Sequence, residues 1–171
     1  LVGSEMCKET VSDHGEDLLD DERNRFLHAS PIPTYYQLHI PFVIWFSDNY
    51  STLFPDDIRQ ARNRHTTPFD SRVVFHTLLG IGGIETEYRD DRLSLISPSF
   101  HLEKRYYVGE QNIPIPVRRL PLEEEDLQAF EDTESLPDNT ILASLILFTF
   151  LNKGEANIHI SVSYTHLTLP T

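Results

Sequence analysis

The residues best suited to chemistry stand together near the start of the chain, as Ser12-Asp13-His14-Gly15-Glu16. A carboxylate and a neutral imidazole are donor types that suit zinc, and two of them from neighbouring positions make half a metal site. Adjacent side chains point to opposite faces of an extended strand, so Asp13 and His14 can converge on one ion only where a strand gives way to a turn. Thr10-Val11-Ser12 reads as such a strand end, and Gly15 permits a sharp turn after it. In open α/β sheets that edge is also where ligands bind. The same five residues also describe a capped, solvated turn, and their spacing alone does not choose between the two.

The rest of the composition narrows the function classes. With 14 Lys and Arg against 27 Asp and Glu, the chain carries a formal net charge of -13, which argues against a surface built to neutralise nucleic-acid phosphates. Its 171 residues can bury one ordinary core. The longest apolar run, Ile141 to Leu151, is far shorter than the ~20 residues that cross a bilayer, and nothing in the chain reads as a membrane span. Cys7 stands alone, which excludes an internal disulfide or a multi-cysteine zinc knot. A glycine-rich phosphate loop, a G-x-S-x-G elbow and a C-x-x-C pair are absent from the sequence.

The elements that must position the motif follow from periodicity and punctuation. His39-Ile40-Pro41-Phe42-Val43-Ile44-Trp45-Phe46 is almost continuously apolar, as expected of a strand buried on both faces in a mainly parallel sheet, with Pro41 at its start. Pro55, Asp56 and Asp57 open a short helix that ends near Arg64, with acids first and Arg62 and Arg64 last to match the helix dipole. Asp70 or Ser71 caps a second helix whose Val74, Leu78 and Ile81 share a face, and Gly82-Gly83 stops it. Arg105 to Val108 reads as a strand, Gly109 to Asn112 as a turn, and Pro121 to Glu131 as the start of an acidic helix. Asp17 to Arg25 reads as a charged, solvated loop; its Asp17, Asp20, Asp21 and Glu22 could grip an ammonium group, but acidic runs beside turns are mostly solvated. Strands alternating with helices predict an α/β layer architecture.

Four segments in order carry a resemblance: Val11-Ser12-Asp13-His14-Gly15-Glu16, Phe26-Leu27-His28-Ala29-Ser30-Pro31, Tyr36 through Trp45, and Val74-Phe75-His76-Thr77-Leu78-Leu79-Gly80-Ile81. Over about residues 10 to 120 the chain resembles the sulfatase-like phosphoethanolamine transferases, the lipid A-modifying members of the alkaline phosphatase superfamily. The resemblance implies the C-terminal part of a periplasmic catalytic domain, an incomplete sulfatase or alkaline-phosphatase-like sandwich with a mainly parallel sheet flanked by helices. It implies that Asp13 and His14 ligate zinc and that His28 contacts the phosphoryl group. Ser12 and Glu16 match the motif in supporting roles, while His39 and His76 are expected to serve packing or a buried hydrogen bond.

The activity so implied is transfer of phosphoethanolamine from phosphatidylethanolamine to a lipid such as lipid A, through a phospho-threonine intermediate. The family places its nucleophile and remaining zinc ligands upstream of this motif, and Thr10, Thr34, Thr66 and Thr67 lie in the wrong place for that role. The chain is thus expected to hold half a metal site and no nucleophile, within an inner-membrane protein anchored by N-terminal helices. A sulfatase, phosphodiesterase or phosphoglycerol transferase of the same superfamily is the enzymatic alternative, and a non-catalytic fragment that binds no metal is the other. Residues 1–131 then read as the catalytic part, 132–161 as an extension of undetermined role, and 162–171 as a sequencing-adaptor remnant, since Val162 to Thr171 resembles a translated transposase adaptor. Glu5 to Thr10 departs from the apolar strand that the resemblance implies before the motif.

Overall fold

The structure, a computed structural model, describes residues 7–28, 31–109, 112–135 and 157–163. Its strands are β1 (Cys7–Val11), β2 (Asp17–Leu18), β3 (Phe26–Leu27), β4 (His39–Phe46), β5 (Tyr106–Val108), β6 (Pro114–Pro116) and β7 (Asn157–Ser163). The helices are α1 (Tyr35–Leu38), α2 (Asp48–Leu53), α3 (Pro55–Arg62), α4 (Arg72–Ile81) and α5 (Glu124–Ser135). One three-stranded sheet, in the order β1-β4-β7, is accompanied by the small ladders β2-β3 and β5-β6. β7 takes in Val162 and Ser163, the first two residues of the adaptor-like segment. Ile141 to Leu151 lies outside the described residues.

β4 is the spine of the fold, and it corrects the expectation of a mainly parallel sheet. Both of its neighbours run antiparallel to it, with Val11 opposite Phe42 and Ser163 opposite His39. The physical reason lies in its burial, which alternates. Ile40, Phe42, Ile44 and Phe46 are buried, whereas His39, Val43 and Trp45 are half-buried and Pro41 is exposed. A one-faced antiparallel strand can therefore carry apolar residues on its outer side as well, so an unbroken apolar run does not prove two-sided burial. Trp45 on that outer face has the Lys8 ammonium 5.5 Å from its ring centroid. Pro41 sits third in the strand rather than first, one residue beyond the end of the ladder with β1, so β1 loses no partner to its missing N–H.

The helices form where their punctuation places them. Pro55 leads α3, Asp56 and Asp57 occupy its first turn, and Arg59 and Arg62 occupy its last. α4 runs from Arg72 to Ile81 with Gly82 at its C-cap, and Gly83 takes the left-handed conformation at φ +61°. Ser71 makes no side-chain cap bond; the Arg72 N–H donates instead to Asp70 Oδ1 at 3.3 Å. The same buried Asp70 accepts the Tyr106 N–H at 2.9 Å and so ties β5 to the start of α4. Val73, Val74, Thr77 and Ile81 are the buried face of α4, and Leu78, expected among them, is exposed. Thr77 takes that place because its hydroxyl accepts the Leu95 N–H at 3.0 Å.

These helices close over the even-numbered residues of β4. Ile40, Phe42, Ile44 and Phe46 pack with Tyr50, Ile58, Ala61, Phe69, Val73, Val74, Ile81, Leu95 and Ile96 in the main apolar cluster. Burying each large side chain contributes roughly 1.5–3 kcal/mol, so this cluster fixes the sheet in place. A smaller cluster joins Leu38 of α1 to Phe130 of α5, flanked by Tyr35, Tyr107, Val117, Leu120 and Leu122. The lone Cys7 lies on β1, where its thiol donates to Glu9 Oε1 at 2.6 Å; burial, then that hydrogen bond, pushes its pKa up to about 12. A thiol so held is neither a nucleophile nor a ready ligand at neutral pH.

Candidate metal centre

The chain leaves the sheet at the motif. Val11 is the last residue of β1 paired with β4, and Ser12 begins the turn by donating its hydroxyl to the His14 carbonyl at 2.6 Å. The His14 N–H donates in turn to Asp13 Oδ1 at 3.1 Å. Gly15 is demanded by space: a Cβ there would stand 1.8 Å from the Tyr36 carbonyl oxygen. That close approach lets the Gly15 N–H donate to the Gln37 carbonyl at 3.0 Å, which docks the turn onto α1. Asp13 and His14 are thereby freed from the alternation that would part them on a strand.

The two do converge. Asp13 Oδ2 lies 3.7 Å from His14 Nε2. Two ligands of one tetrahedral zinc, at bond lengths of about 2.0–2.2 Å, stand roughly 3.4 Å apart, so a small closing movement brings these atoms onto one ion. The tautomer is set by the other ring nitrogen. His14 Nδ1 is 3.0 Å from the Gly15 carbonyl, which can only accept, so the ring proton belongs on Nδ1 and the Nε2 lone pair faces the Asp13 carboxylate. An acceptor facing an acceptor is the arrangement that a cation satisfies.

On the opposite edge of the His14 ring stands a second acid–imidazole pair. Glu16 Oε1 lies 3.6 Å from His14 Nδ1 and 2.7 Å from His28 Nδ1, and the two imidazole rings are 4.1 Å apart between centroids. His14, Glu16 and His28 can each offer a ligand atom within 4.8 Å of the others, a group that does not include Asp13, whose side chain is 80% exposed. Glu16 Oε2 is buried with no hydrogen-bond partner among the described residues, the kind of orphaned oxygen that calls for an ion or a donor. Oxygen and nitrogen donors, a fixed tautomer and an unsatisfied buried carboxylate oxygen together fit a zinc-type cation.

His14 thus stands between Asp13 on one edge and His28, fourteen residues on, at the other, while Asp13 itself stays outside the group formed by His14, Glu16 and His28. Glu16 was given only a supporting place by its motif position, yet it touches both histidines. The signal for it was present: Glu16 follows His14 by two residues, the spacing that returns a side chain to the same side of an extended chain. His39 and His76, the histidines expected to serve packing, make hydrogen bonds away from this cluster. His39 Nδ1 is 3.1 Å from the Tyr35 hydroxyl with the rings stacked, and His76 Nδ1 accepts the Asp90 N–H at 3.1 Å.

The loop between Glu16 and His28 overturns its reading as a solvated charge run. Asp17 is buried and accepts from the Thr34 hydroxyl at 2.6 Å and from Gln37 Nε2. Arg23 lays its guanidinium across the buried carboxylate of Asp126 on α5, at 2.7 and 2.9 Å, and also meets Asp21. Arg25 donates to Glu123 at 2.5 Å and to the Ile32 carbonyl at 3.1 Å. Asp20 and Glu22 alone keep the exposed character expected of the run. Leu19 and Leu27 hold left-handed backbone at φ 65° and 70°, a conformation that costs a leucine energy and persists only where surroundings impose it.

Comparison with known proteins finds relatives of the chain. No protein-family model matches the chain. It is 31% identical over 97 residues to the phosphoethanolamine transferase EptA of Salmonella typhimurium, an alignment covering 55% of this chain and 17% of that protein. The chain therefore spans well under a quarter of that relative. Among solved structures it is similar to the C-terminal periplasmic domain of EcEptC from Escherichia coli, with a TM-score of 0.55 and 25% identity over 67% of this chain and 33% of that one. The same domain crystallised as a complex with Zn gives a TM-score of 0.53 at 24% identity, covering 67% and 32%. The resemblance to phosphoethanolamine transferases read from the motifs is borne out, as is a mixed helix-and-strand fold shared with that domain. Among the described residues no helix is long and apolar enough to cross a membrane.

Proposed function

We propose that this chain carries part of the catalytic centre of a zinc-dependent phosphoethanolamine transferase. Asp13 and His14 hold the metal, and His28 acts on the group being transferred. The observation that carries this reading is the cluster of His14, Glu16 and His28 just beyond β1, with Asp13 Oδ2 3.7 Å from His14 Nε2 on the other edge of the ring. The relatives' names supply the reaction class. Zinc bound there would act as a Lewis acid toward phosphoryl oxygens and lower the pKa of a hydroxyl nucleophile.

The remaining work falls to side chains of this chain. Glu16 accepts the His28 Nδ1–H at 2.7 Å, which fixes the orientation of the ring. His28 Nε2 is then the atom that gives a proton to the leaving oxygen or donates to a non-bridging phosphoryl oxygen. On this reading the donor is phosphatidylethanolamine, the acceptor a membrane lipid such as lipid A, and a threonine outside these residues carries the phosphoethanolamine between them. The domain works on the periplasmic side of the inner membrane, and the 171 residues alone turn over nothing.

Zinc content and transfer measured together on the full-length protein test the reading. Asp13→Ala is expected to lose the zinc of this site and all transfer. His28→Ala is expected to keep zinc while transfer falls about 10²–10⁴-fold. Unchanged zinc content and transfer in Asp13→Ala would end the assignment.

A further inference from the structure

The two halves of the candidate centre come from opposite ends of one loop. Glu16 stands immediately before it and His28 immediately after, yet their side chains meet at 2.7 Å and His28 lies against His14. An eleven-residue excursion of mostly polar chain does not hold two ends in register by itself, because each unfixed backbone residue adds conformational freedom. Its ladder is only two residue pairs, Asp17 with Leu27 and Leu18 with Phe26, too short to be stable alone.

Buried charge holds it instead. Asp126, 1% exposed on α5, receives a two-pronged contact from Arg23 and also the Tyr35 N–H at 2.8 Å. The planar fork of arginine fixes direction as well as distance, which a lysine would not. Glu123, immediately before α5, takes both Arg23 at 3.3 Å and Arg25. Asp17 grips Thr34 and Gln37 from the other side, so α1 is held between two buried carboxylates while Gly15 is bonded to it as well. Asp17 anchors the loop next to Glu16, and Arg23 and Arg25 anchor it five and three residues before His28.

We infer that Asp126 and Arg23 are positioning residues of the metal centre: acting through the loop, they press His28 against Glu16 and His14 from about a hundred residues away in sequence. The inference rests on the reading of the cluster as a metal centre only for its consequence in metal affinity. The juxtaposition of the rings does not require it. α5, which contributes no candidate ligand, thereby becomes part of the site. The fork is the working feature, so a charge opposite Asp126 without a fork is not enough.

The test compares the full-length protein with Arg23→Lys and with the double substitution Arg23→Met with Asp126→Leu, which removes both charges together and so avoids stranding one in the interior. Two readouts are taken on metal-free and Co(II)-titrated protein, with the thermal midpoint recorded alongside. The first is the NMR cross-peak between ring protons of His14 and His28, which a role confined to global stability would not move in a folded variant. It is expected to be clear in the parent and reduced several-fold or lost in both variants. The second is Co(II) affinity, expected to fall about 10–100-fold, the range typical when groups that orient ligands are removed. An undiminished His14–His28 cross-peak in a folded variant overturns the inference, whatever the metal does. Should the double variant unfold, Arg23→Lys decides alone. A full-length parent that takes up no Co(II) at this site speaks against the metal reading of the cluster, and the cross-peak still judges the clamp.

Discussion

The core around β4 and the loop between Glu16 and His28 are held by opposite means. β4 is fixed by Ile40, Phe42, Ile44 and Phe46, all 2% exposed or less, packed under α3 and α4 with hardly a polar contact among them. The loop keeps its leucines outside, Leu18 at 63% and Leu19 at 56%, and closes on buried carboxylates, its own Asp17 at 3% and Asp126 of α5 at 1%. Apolar packing is undirected and strong, so it suits a scaffold. Charged hydrogen bonds are directional and expensive to bury, so they suit a segment whose task is to hold two side chains at a set distance. The difference teaches that stability and site geometry reside in separate sets of residues here, and substitutions should separate them.

The largest effect is expected from Phe42→Ala, which empties the middle of the core. It should cost about 3–5 kcal/mol of unfolding free energy by denaturant titration and leave the His14–His28 contact intact in whatever fraction stays folded. Asp17→Ala should do the reverse. It strands the Thr34 hydroxyl and the Gln37 amide, costs about 1–3 kcal/mol, and loosens Glu16 beside it, read as weaker Co(II) binding out of proportion to the lost stability. If Asp17→Ala proves as costly as Phe42→Ala, the division between scaffold and strap fails.

A smaller effect concerns pH. His76 is held below the ordinary histidine value, mainly because burial disfavours its charged form, and its Nδ1 must stay unprotonated to accept the Asp90 N–H. The unfolded chain therefore binds the proton more readily, so stability contributed by this group is present above about pH 6.5 and declines as pH falls below it. Thermal midpoints between pH 7 and pH 5 should drop more in the parent than in His76→Gln. Asp90 adds a weaker, separate term. The hydrogen bonds from Arg92 lower its pKa to about 2, so its contribution persists until strongly acidic pH. Identical pH slopes in the parent and His76→Gln would remove His76 from the account.

The same contrast explains what the sequence made legible. α3 and α4 could be placed because their signals are local: Pro55 with two acids, Asp70 beside Ser71, Gly82 with Gly83. The turn at Gly109 to Asn112 closes with a 2.9 Å backbone bond as its glycine and asparagine suggest, and α5 begins at Glu124 within the acidic stretch expected to start a helix. Asp13, His14 and His28 were singled out by motif order rather than by a local pattern. The parallel sheet was misread because the residues of β4 look alike on both faces, and only its neighbours tell which face is covered. Leu78 was misread because hydrophobic spacing cannot see that Thr77, with a backbone donor awaiting it, fits the buried place better. The strap was invisible for a simpler reason: Arg23 and Asp126 are 103 residues apart, and no local pattern announces that a charged residue will find its partner across such a distance.

The central claim, that the end of β1 is a metal centre built from carboxylate and imidazole, is met most directly by X-ray absorption at the zinc edge on the zinc-loaded protein and on His14→Ala. The account predicts a shell of nitrogen and oxygen at about 2.0–2.2 Å with imidazole scattering, without sulfur at about 2.3 Å, and its loss in His14→Ala. A sulfur shell from Cys7, or a spectrum that His14→Ala leaves unchanged, would contradict it.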